Sequence, residues 1–174
     1  MWLETERLVI RNLKSEDKDA FVKIASDGSL HDIFGNYDDY HQLMENWIKE
    51  SLRLDIENNP YNQYLSYAII EKKSNKVIGS VGCSYYEDLE QIGIVYFIDA
   101  LSRSNGYGSE AAIAYSRYFL EHYDVPAMIA NIKTENIASC RVVEKSDFKL
   151  IETKMYKDIY DTKEYEYNFY QLRN

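Results

Sequence analysis

The chain has 174 residues, of which 45% are hydrophobic and 28% are charged, and its formal net charge is −9. This length suits one packed domain over residues 1–174, and the negative charge argues against a nucleic-acid partner while suiting cationic partners such as amines. The chain has two cysteines, no apolar run near the ~18 residues of a membrane span, and an N-terminus charged within its first residues, so we expect a cytoplasmic protein without disulfides, bound metal, membrane helix or secretory signal.

The first part of the chain predicts one strand followed by two helices. Residues 7–11 form the expected strand, and Ser15 is placed to cap a helix whose first turn is acidic. The sequence "DGS" at 27–29 ends this helix, and we expect the polar, aromatic segment 31–41 to be irregular. The second helix is predicted from apolar residues that recur on one face: Met44, Trp47, Ile48 and Leu52.

The rest of the chain predicts a strand meander and then alternating helices and strands. The meander comprises residues 63–71, 76–86 and 92–99, which are joined by short polar turns. The later elements are a helix, a strand, a short helix and two closing strands, over residues 109–121, 126–131, 136–146, 148–160 and 163–172. The order β-α-α-β-β-β-α-β-α-β-β indicates a single α/β domain around a mixed sheet.

The stretch "SRSNGYGSEA" (102–111) is the richest motif in the chain. Its segment from Gly106 to Ala111 fits the dinucleotide pattern G-x-G-x-x-A. In that fold, however, the strand turns directly into the first glycine, whereas seven residues separate Ile98 from Gly106 here. The acidic residue expected about 20 positions later at the next strand end is also missing, because that strand ends in Asn131. A dinucleotide loop is therefore disfavoured, and the chain has no G-K-S or G-K-T of a Walker loop.

When Arg103 is included, the loop reads R-x-x-G-x-G, which resembles the acetyl-coenzyme A loop of the GNAT family of N-acetyltransferases. Such a loop binds pyrophosphate through several backbone amides at a helix N-terminus, and glycines let the backbone approach closely. Four segments resemble the RimJ/RimL-like branch of that family, in the family's order: "ETERLVIR" (4–11), "VIGSVG" (77–82), "GYGSEA" (106–111) and "NIASCRVVEKSDF" (136–148).

This resemblance implies a GNAT-like domain in which the strands at 92–99 and 126–131 splay apart around the pantetheine arm of acetyl-coenzyme A. Asn136 is expected to hold the coenzyme arm, and Ser139 to lie near the thioester sulfur. Backbone groups expected to bind the arm are those of Phe97, Ile98 and Asp99. Backbone groups expected to bind the pyrophosphate are those of Arg103, Ser104, Asn105, Gly106, Tyr107, Gly108 and Ser109. The Arg103 side chain is expected either to shape the loop or to meet a phosphate.

The sequence departs from the family where a carboxylate base is frequent, because that position is Gly93. Gln91 shares the strand face of Gly93 and is expected to orient a water, whereas Glu90 points the other way unless a bulge intervenes. Water-relayed deprotonation and binding of an already neutral amine stay open as alternatives. Many relatives use a tyrosine on the late helix as the acid. This chain has Ser139 on that helix, and we expect Ser139 to hydrogen-bond the departing sulfur.

The resemblance predicts transfer of an acetyl group from acetyl-coenzyme A to a primary amine, by a monomer or homodimer. A protein or peptide N-terminus is slightly favoured over a small polyamine or antibiotic amine. The alternatives are a non-catalytic acyl-coenzyme A sensor, which the glycine at position 93 suggests, and an enzyme for longer acyl chains. In this family, the segment between the first two helices usually forms one wall of the acceptor site. The residues of that segment expected either to contact the acceptor or to pack inside the protein are His31, Phe34, Tyr37 and Tyr40.

Overall fold

The computed structural model describes residues 1–158 and 161–174, except for the side chain of Asp32. Within these ranges one sheet contains the strands β1 (Trp2–Glu4), β2 (Leu8–Asn12), β3 (Tyr64–Glu71), β4 (Lys76–Tyr86), β5 (Gln91–Ile98), β6 (Ala127–Lys133), β7 (Lys149–Tyr156) and β8 (Tyr165–Arg173). The helices are α1 (Lys18–Ser26), α2 (His31–Phe34), α3 (Tyr40–Glu57), α4 (Tyr107–Tyr123) and α5 (Ile137–Lys145). The predicted mixed α/β architecture is confirmed.

The sheet opens at one place along its width. Its strand order is β1-β2-β3-β4-β5-β6-β8-β7, and neighbouring strands are antiparallel except for β5 and β6. These two run parallel and share a single register pair, Gly93 beside Ile129. Strand β6 instead pairs along its length with β8. The splayed central strand pair expected from the resemblance is therefore present, and it leaves a cleft between β5 and β6.

Helices cover both faces of the sheet, and alternation along each strand decides which side chains each helix meets. On one face, called the α4 face, α4 buries its predicted inward stripe: Ala111, Ala112, Tyr115 and Phe119. On the opposite face, called the α1 face, α1 and α3 pack against Phe97 of β5. The predicted stripe of α3 lies in this second core, with Met44 and Ile48 fully buried and Trp47 and Leu52 packed beside them.

Several local predictions need correction. Strand β1 and helix α2 were not predicted, because three and four residues are too few to show a periodic pattern. Ser15 does not open α1 as its cap; it begins a 3-10 turn, and the Asp17 carboxylate accepts from the Lys14 amide at 2.9 Å. Asp17 also receives two hydrogen bonds from Arg11 at 2.8 Å, so it fixes the entry to the helix. The last two positions of the predicted strand 148–160 lie outside the described residues.

Candidate active site

The segment between β5 and α4 forms a compact loop that ends at a helix N-terminus. After a 3-10 turn at Ala100–Ser102, the backbone takes left-handed φ values at Ser104 (63°) and Gly106 (82°). Gly106 is the N-cap of α4, and the amide of Glu110 donates to its carbonyl at 3.1 Å. The three amides that precede Glu110 in the first turn of α4 have no acceptor within the helix. They lie at the positive end of the helix dipole, which suits an anion. These are the amides of Tyr107, Gly108 and Ser109.

Arg7 and Glu110 hold this loop against the start of β2. The Arg7 guanidinium donates to Glu110 Oε2 at 2.7 Å and to the Asn105 carbonyl at 2.8 Å, and it lies 4.7 Å from the centre of the Tyr107 ring. Glu110 also accepts from the Arg7 amide at 2.9 Å and from the Thr5 hydroxyl at 2.5 Å. Burial raises the pKa of Glu110, but these hydrogen bonds outweigh burial and keep the pKa below its ordinary value. The separate motifs "ETER" and "GSEA" therefore form one structural unit.

The side chain of Arg103 shapes the loop from within. Its Nε donates to the Ile98 carbonyl at 2.9 Å, and its Nη2 donates to the Ser29 hydroxyl at 2.8 Å. Asn105 acts similarly, because its Nδ2 donates to the carbonyls of Ser102 at 3.1 Å and Arg103 at 3.0 Å. Of the two expectations for Arg103, the structure thus favours shaping the loop. It also ties the loop to the segment that precedes α2.

Strand β5 borders one side of the cleft and stays paired with β4 through Phe97 and Ile98. The Asp99 amide donates to the Ile78 carbonyl at 2.8 Å, and the Ile98 carbonyl accepts from the Arg103 side chain. Two of the backbone groups predicted to meet the coenzyme arm are therefore already bonded within the protein. The Phe97 carbonyl also faces β4, because it lies against Gly79 of that strand.

The start of α5 lies on the α4 face. Asn136 caps this helix, because its Oδ1 accepts from the Ser139 amide at 3.1 Å. The Ser139 carbonyl accepts from the hydroxyl of Tyr96 in β5 at 3.0 Å, so this bond links β5 to α5. Burial raises the pKa of Tyr96, and the hydroxyl stays protonated as a donor. The sequence pattern did not single out Tyr96; its contact depends on packing between distant segments.

Gly93 has no room for a side chain. A Cβ built there would lie 2.5 Å from Cε2 of Tyr86 and 3.4 Å from the Ile129 carbonyl oxygen. The Tyr86 ring therefore fills the space in which a family carboxylate would begin. The departure at Gly93 was predicted from the sequence, but its cause was not, since Tyr86 lies seven residues earlier on the neighbouring strand.

The two residues predicted to help deprotonate the amine differ in position. Gln91 pairs with Tyr86 in the strand ladder and, together with Ile129 and Phe169, lines a cavity of about 130 Å³. Glu90 lies in the preceding turn with a φ of 51° and is exposed. Gln91 thus shares the α1 face with Gly93, as the strand period predicts, and Glu90 stands outside the strand.

Carboxylates and tyrosines cluster near the ends of β4, β6, β7 and β8, and we call this group the acidic tyrosine surface. The Tyr156 hydroxyl donates to Asp88 at 2.8 Å, and the Tyr167 hydroxyl donates to Asp161 at 2.7 Å. Lys133 forms an ion pair with Asp161 at 2.7 Å. Burial, followed by the adjacent carboxylates, raises the pKa of both tyrosines, which remain donors. Lys133 and Ile129 are four residues apart on β6, so this surface extends from the α1 face beside Gly93.

The aromatic segment at the start of α3 divides into half-buried and exposed residues. Phe34 of α2 packs edge to face on Phe97 with ring centres 5.1 Å apart, which is ordinary core packing. The Tyr40 hydroxyl donates at 3.1 Å to the carbonyl that follows α2. Tyr37 is 54% exposed and His31 is exposed at the start of α2. Among these residues, Tyr37 and His31 are the ones accessible to an acceptor.

Among residues 1–158 and 161–174, no group of three or more His, Cys, Asp or Glu side chains is arranged to hold a metal ion. Over the same ranges, no helix combines the length and the apolarity needed to cross a membrane.

Comparison with known proteins gives the family. The family model described as "Acetyltransferase (GNAT) domain" matches residues 7–149. The fold is similar to a GNAT-family acetyltransferase from Bacillus anthracis, with a TM-score of 0.82 and 20% identity over 99% of this chain and 98% of the other. It is also similar to RimL, a ribosomal L7/L12 α-N-protein acetyltransferase solved with coenzyme A, with a TM-score of 0.83 and 14% identity over 99% and 98% of the chains.

A third structure extends the range of relatives with this fold. The microcin C7 self-immunity acetyltransferase MccE, solved with acetyl-coenzyme A and AMP, has a TM-score of 0.79 and 15% identity over 98% of this chain and 94% of the other. Because the family model spans most of the chain, the protein belongs to the GNAT family and is an acetyltransferase whose co-substrate is acetyl-coenzyme A.

Proposed function

We propose that the protein transfers the acetyl group of acetyl-coenzyme A to the α-amino group of a protein or peptide, in preference to a small polyamine or antibiotic amine. One observation carries the proposal. Strands β5 and β6 part beyond Gly93 and Ile129, and the N-terminus of α4 at Gly106 lies beside the end of β5. An extended arm and an anionic group therefore have adjoining sites in one cleft.

The loop residues divide between binding and support. The pyrophosphate would meet the amides of Tyr107, Gly108 and Ser109, while the side chains of Arg103 and Asn105 keep the loop in shape. Ser104 contributes a left-handed turn and Gly106 the helix cap. The pantetheine arm would lie along the β6-facing edge of β5 near Phe97, and Asn136 would lie beside it at the N-terminus of α5.

Acetyl-coenzyme A supplies an activated thioester, and the remaining chemistry falls to the acceptor and the protein. The amine nitrogen attacks the carbonyl carbon, a C–N bond forms, the C–S bond breaks, the nitrogen loses a proton and the sulfur gains one. Because the Tyr86 ring covers Gly93, we assign deprotonation of the amine to a water oriented by Gln91. The role of Glu90 is limited to attracting the cationic acceptor. Ser139 would stabilise the departing sulfur, and the Tyr96 hydroxyl would hold Ser139 in place by donating to its carbonyl. Positioning of the two reactants supplies most of the rate.

Charge supports a cationic acceptor, and similarity supports an α-amino group. Asp88 and Asp161 place carboxylates on the acidic tyrosine surface, and the chain has a net charge of −9, which suits a cationic acceptor. RimL, which shares the fold, is described as acting on a protein α-amino group. The charge suits any cationic amine, and the similarity to RimL is what favours a peptide N-terminus.

A thiol-release assay with a panel of amines tests this function. The panel compares a peptide with a free α-amino group, the same peptide blocked at its N-terminus but carrying lysine, a polyamine and an aminoglycoside. We expect kcat/KM for the free α-amino peptide to exceed the others by about tenfold, equivalent to about 1.4 kcal/mol. Tight coenzyme A binding without turnover of any amine would instead favour the sensor. Comparing acetyl-, propionyl- and succinyl-coenzyme A tests the longer-chain alternative.

A further inference from the structure

The two polar side-chain atoms of Asn131 in β6 are buried without partners, although the residue as a whole is partly exposed. Neither its Oδ1 nor its Nδ2 has a hydrogen-bond partner among the residues that the structure describes, although both atoms are inaccessible to solvent. A buried carboxamide without partners has lost its hydration and gained no hydrogen bond in return. Folded proteins seldom keep such a group unless it meets a ligand or serves a site.

The position of Asn131 points to a ligand in the cleft. It lies two residues beyond Ile129, the residue of β6 that pairs with Gly93 of β5, and so it stands where the two strands begin to part. On its other side it pairs with Phe169 of β8, so the ladder on that side is complete. By the period of two, its side chain shares the α1 face with Gly93. The two unpaired atoms are therefore beside the point at which the acetyl group must meet the amine.

The chemistry of the side chain narrows the class of ligand. A carboxamide needs both an acceptor for its NH₂ and a donor for its oxygen. An ammonium group supplies donors alone and a phosphate supplies acceptors alone, so either would leave half of the side chain unsatisfied. An extended segment that carries amide N–H and C=O groups supplies both.

We propose that Asn131 is a binding residue whose carboxamide, shielded from solvent in the ligand-free protein, rotates towards the cleft to hydrogen-bond an amide-bearing segment there. This inference rests on the proposed function, which places the reaction in the same cleft. Two sources offer the same chemistry: the pantetheine arm, which contains two amides, and the first peptide group of the acceptor. Asn131 itself cannot act as a base, since a carboxamide is not basic; it orients the ligand.

Asn131→Leu tests the proposal, because leucine keeps the size of the side chain and removes both polar atoms. Asn168→Leu is the matched control on β8. Asn168 is bonded on the other face, where its Oδ1 accepts from Thr153 at 2.7 Å and its Nδ2 donates to Cys140 Sγ at 3.7 Å. We expect Asn131→Leu to keep or raise the Tm and to weaken ligand binding about tenfold, and Asn168→Leu to lower the Tm without selective loss of binding.

Two binding measurements separate the sources. If the pantetheine arm is the partner, Asn131→Leu raises the Kd of coenzyme A and slows all amines equally. If the acceptor is the partner, the Kd is unchanged and KM rises for a free α-amino peptide but not for butylamine. Unchanged values of both overturn the proposal. A fall in Tm as large as that of Asn168→Leu also overturns it, because it indicates an internal structural bond.

A measurement on the wild-type protein covers the case in which the variant does not fold. The side-chain ¹H–¹⁵N resonances of Asn131 are followed while coenzyme A or the peptide is added. A shift with either ligand supports the proposal, and the absence of a shift at saturation with both overturns it. Failure of the proposed function is distinguishable, since it appears as a wild-type protein that binds coenzyme A and acetylates no amine.

Discussion

The ring of Tyr86 lies over Gly93, so close that a Cβ at position 93 would come within 2.5 Å of the ring carbon Cε2. The glycine and the tyrosine therefore depend on each other, because the Tyr86 ring occupies the space beside the cleft that a side chain at position 93 would need. This explains how a member of the GNAT family lacks a carboxylate at that position. The proposed mechanism therefore assigns deprotonation to solvent and to positioning of the amine.

Gly93→Ala is expected to destabilise the protein by about 1–3 kcal/mol, because the added methyl group has to displace a packed ring. The Tm measured by calorimetry should fall accordingly. The double variant Gly93→Ala with Tyr86→Ala should lose less than the two single variants added together. Gly108→Ala is the control, since a Cβ there meets Val142 at an ordinary 3.4 Å. Equal losses at 93 and 108 would contradict the close packing of Tyr86.

Arg7→Lys is expected to weaken coenzyme A binding about three- to tenfold, because lysine cannot hold Glu110 and the Asn105 carbonyl with one planar group. The KM for the amine at saturating acetyl-coenzyme A should stay unchanged. Arg53→Lys is the matched control, since Arg53 pairs with Glu50 on the exposed surface of α3. An unchanged Kd in Arg7→Lys would show that the loop keeps its shape without this contact.

The pH dependence of stability follows from carboxyls whose pKa is lowered in the folded protein. Burial raises the pKa of Glu110, but the bonds from Thr5 and Arg7 lower it further. Burial likewise raises the pKa of Asp161, and the bonds from Lys133 and Tyr167 lower it further. Their contribution to stability is present above the unfolded pKa of about 4 and is lost as the pH falls through the lower folded pKa. Urea unfolding should show a declining free energy below about pH 4, with a shallower decline in Glu110→Gln. The same slope in wild type and Glu110→Gln would contradict this assignment.

Tyr96→Phe removes the hydroxyl that donates to the Ser139 carbonyl at 3.0 Å. We expect kcat to fall about tenfold, because Ser139 loses the bond that holds it in place beside the departing sulfur, while the Kd of acetyl-coenzyme A stays the same. Ser139→Ala should lower kcat at least as much, and the double variant should be less impaired than the product of both effects, because Tyr96 acts through Ser139. Full additivity would indicate that the two hydroxyls act in different places.

Local patterns were sufficient to predict much of this protein. The helix that starts after Gly106 and the meander from 64 to 98 follow from glycine placement and strand alternation, which act over a few residues. Alignment of residues 93–99 with the family pattern placed Gly93 where relatives frequently have a carboxylate. The position of Asn136 at the start of α5 also follows from its sequence, although its oxygen serves as a helix cap.

Contacts between distant segments were not predictable in the same way. Arg7 and Glu110 are 103 residues apart, and Arg103 and Ser29 are 74 apart, so each pair meets only after the sheet has formed. For the first pair, the opposite charges of Arg7 in "ETER" and Glu110 in "GSEA" are the feature of the sequence that indicates the contact. Nothing in the local pattern around Asn131 indicates that its amide is left unpaired, because that depends on where β5 leaves β6.

The central claim is that the N-terminus of α4 binds the pyrophosphate of acetyl-coenzyme A, and titration calorimetry of two variants at one position tests it most directly. Gly108→Glu and Gly108→Gln add side chains of the same size where a Cβ meets Val142 and Ile98 at 3.4 and 3.7 Å. A glutamate in the first turn favours the helix but opposes a bound anion. We predict that Gly108→Glu binds coenzyme A at least about tenfold more weakly than Gly108→Gln, with no loss of Tm. Equal affinity of the two variants would contradict the claim.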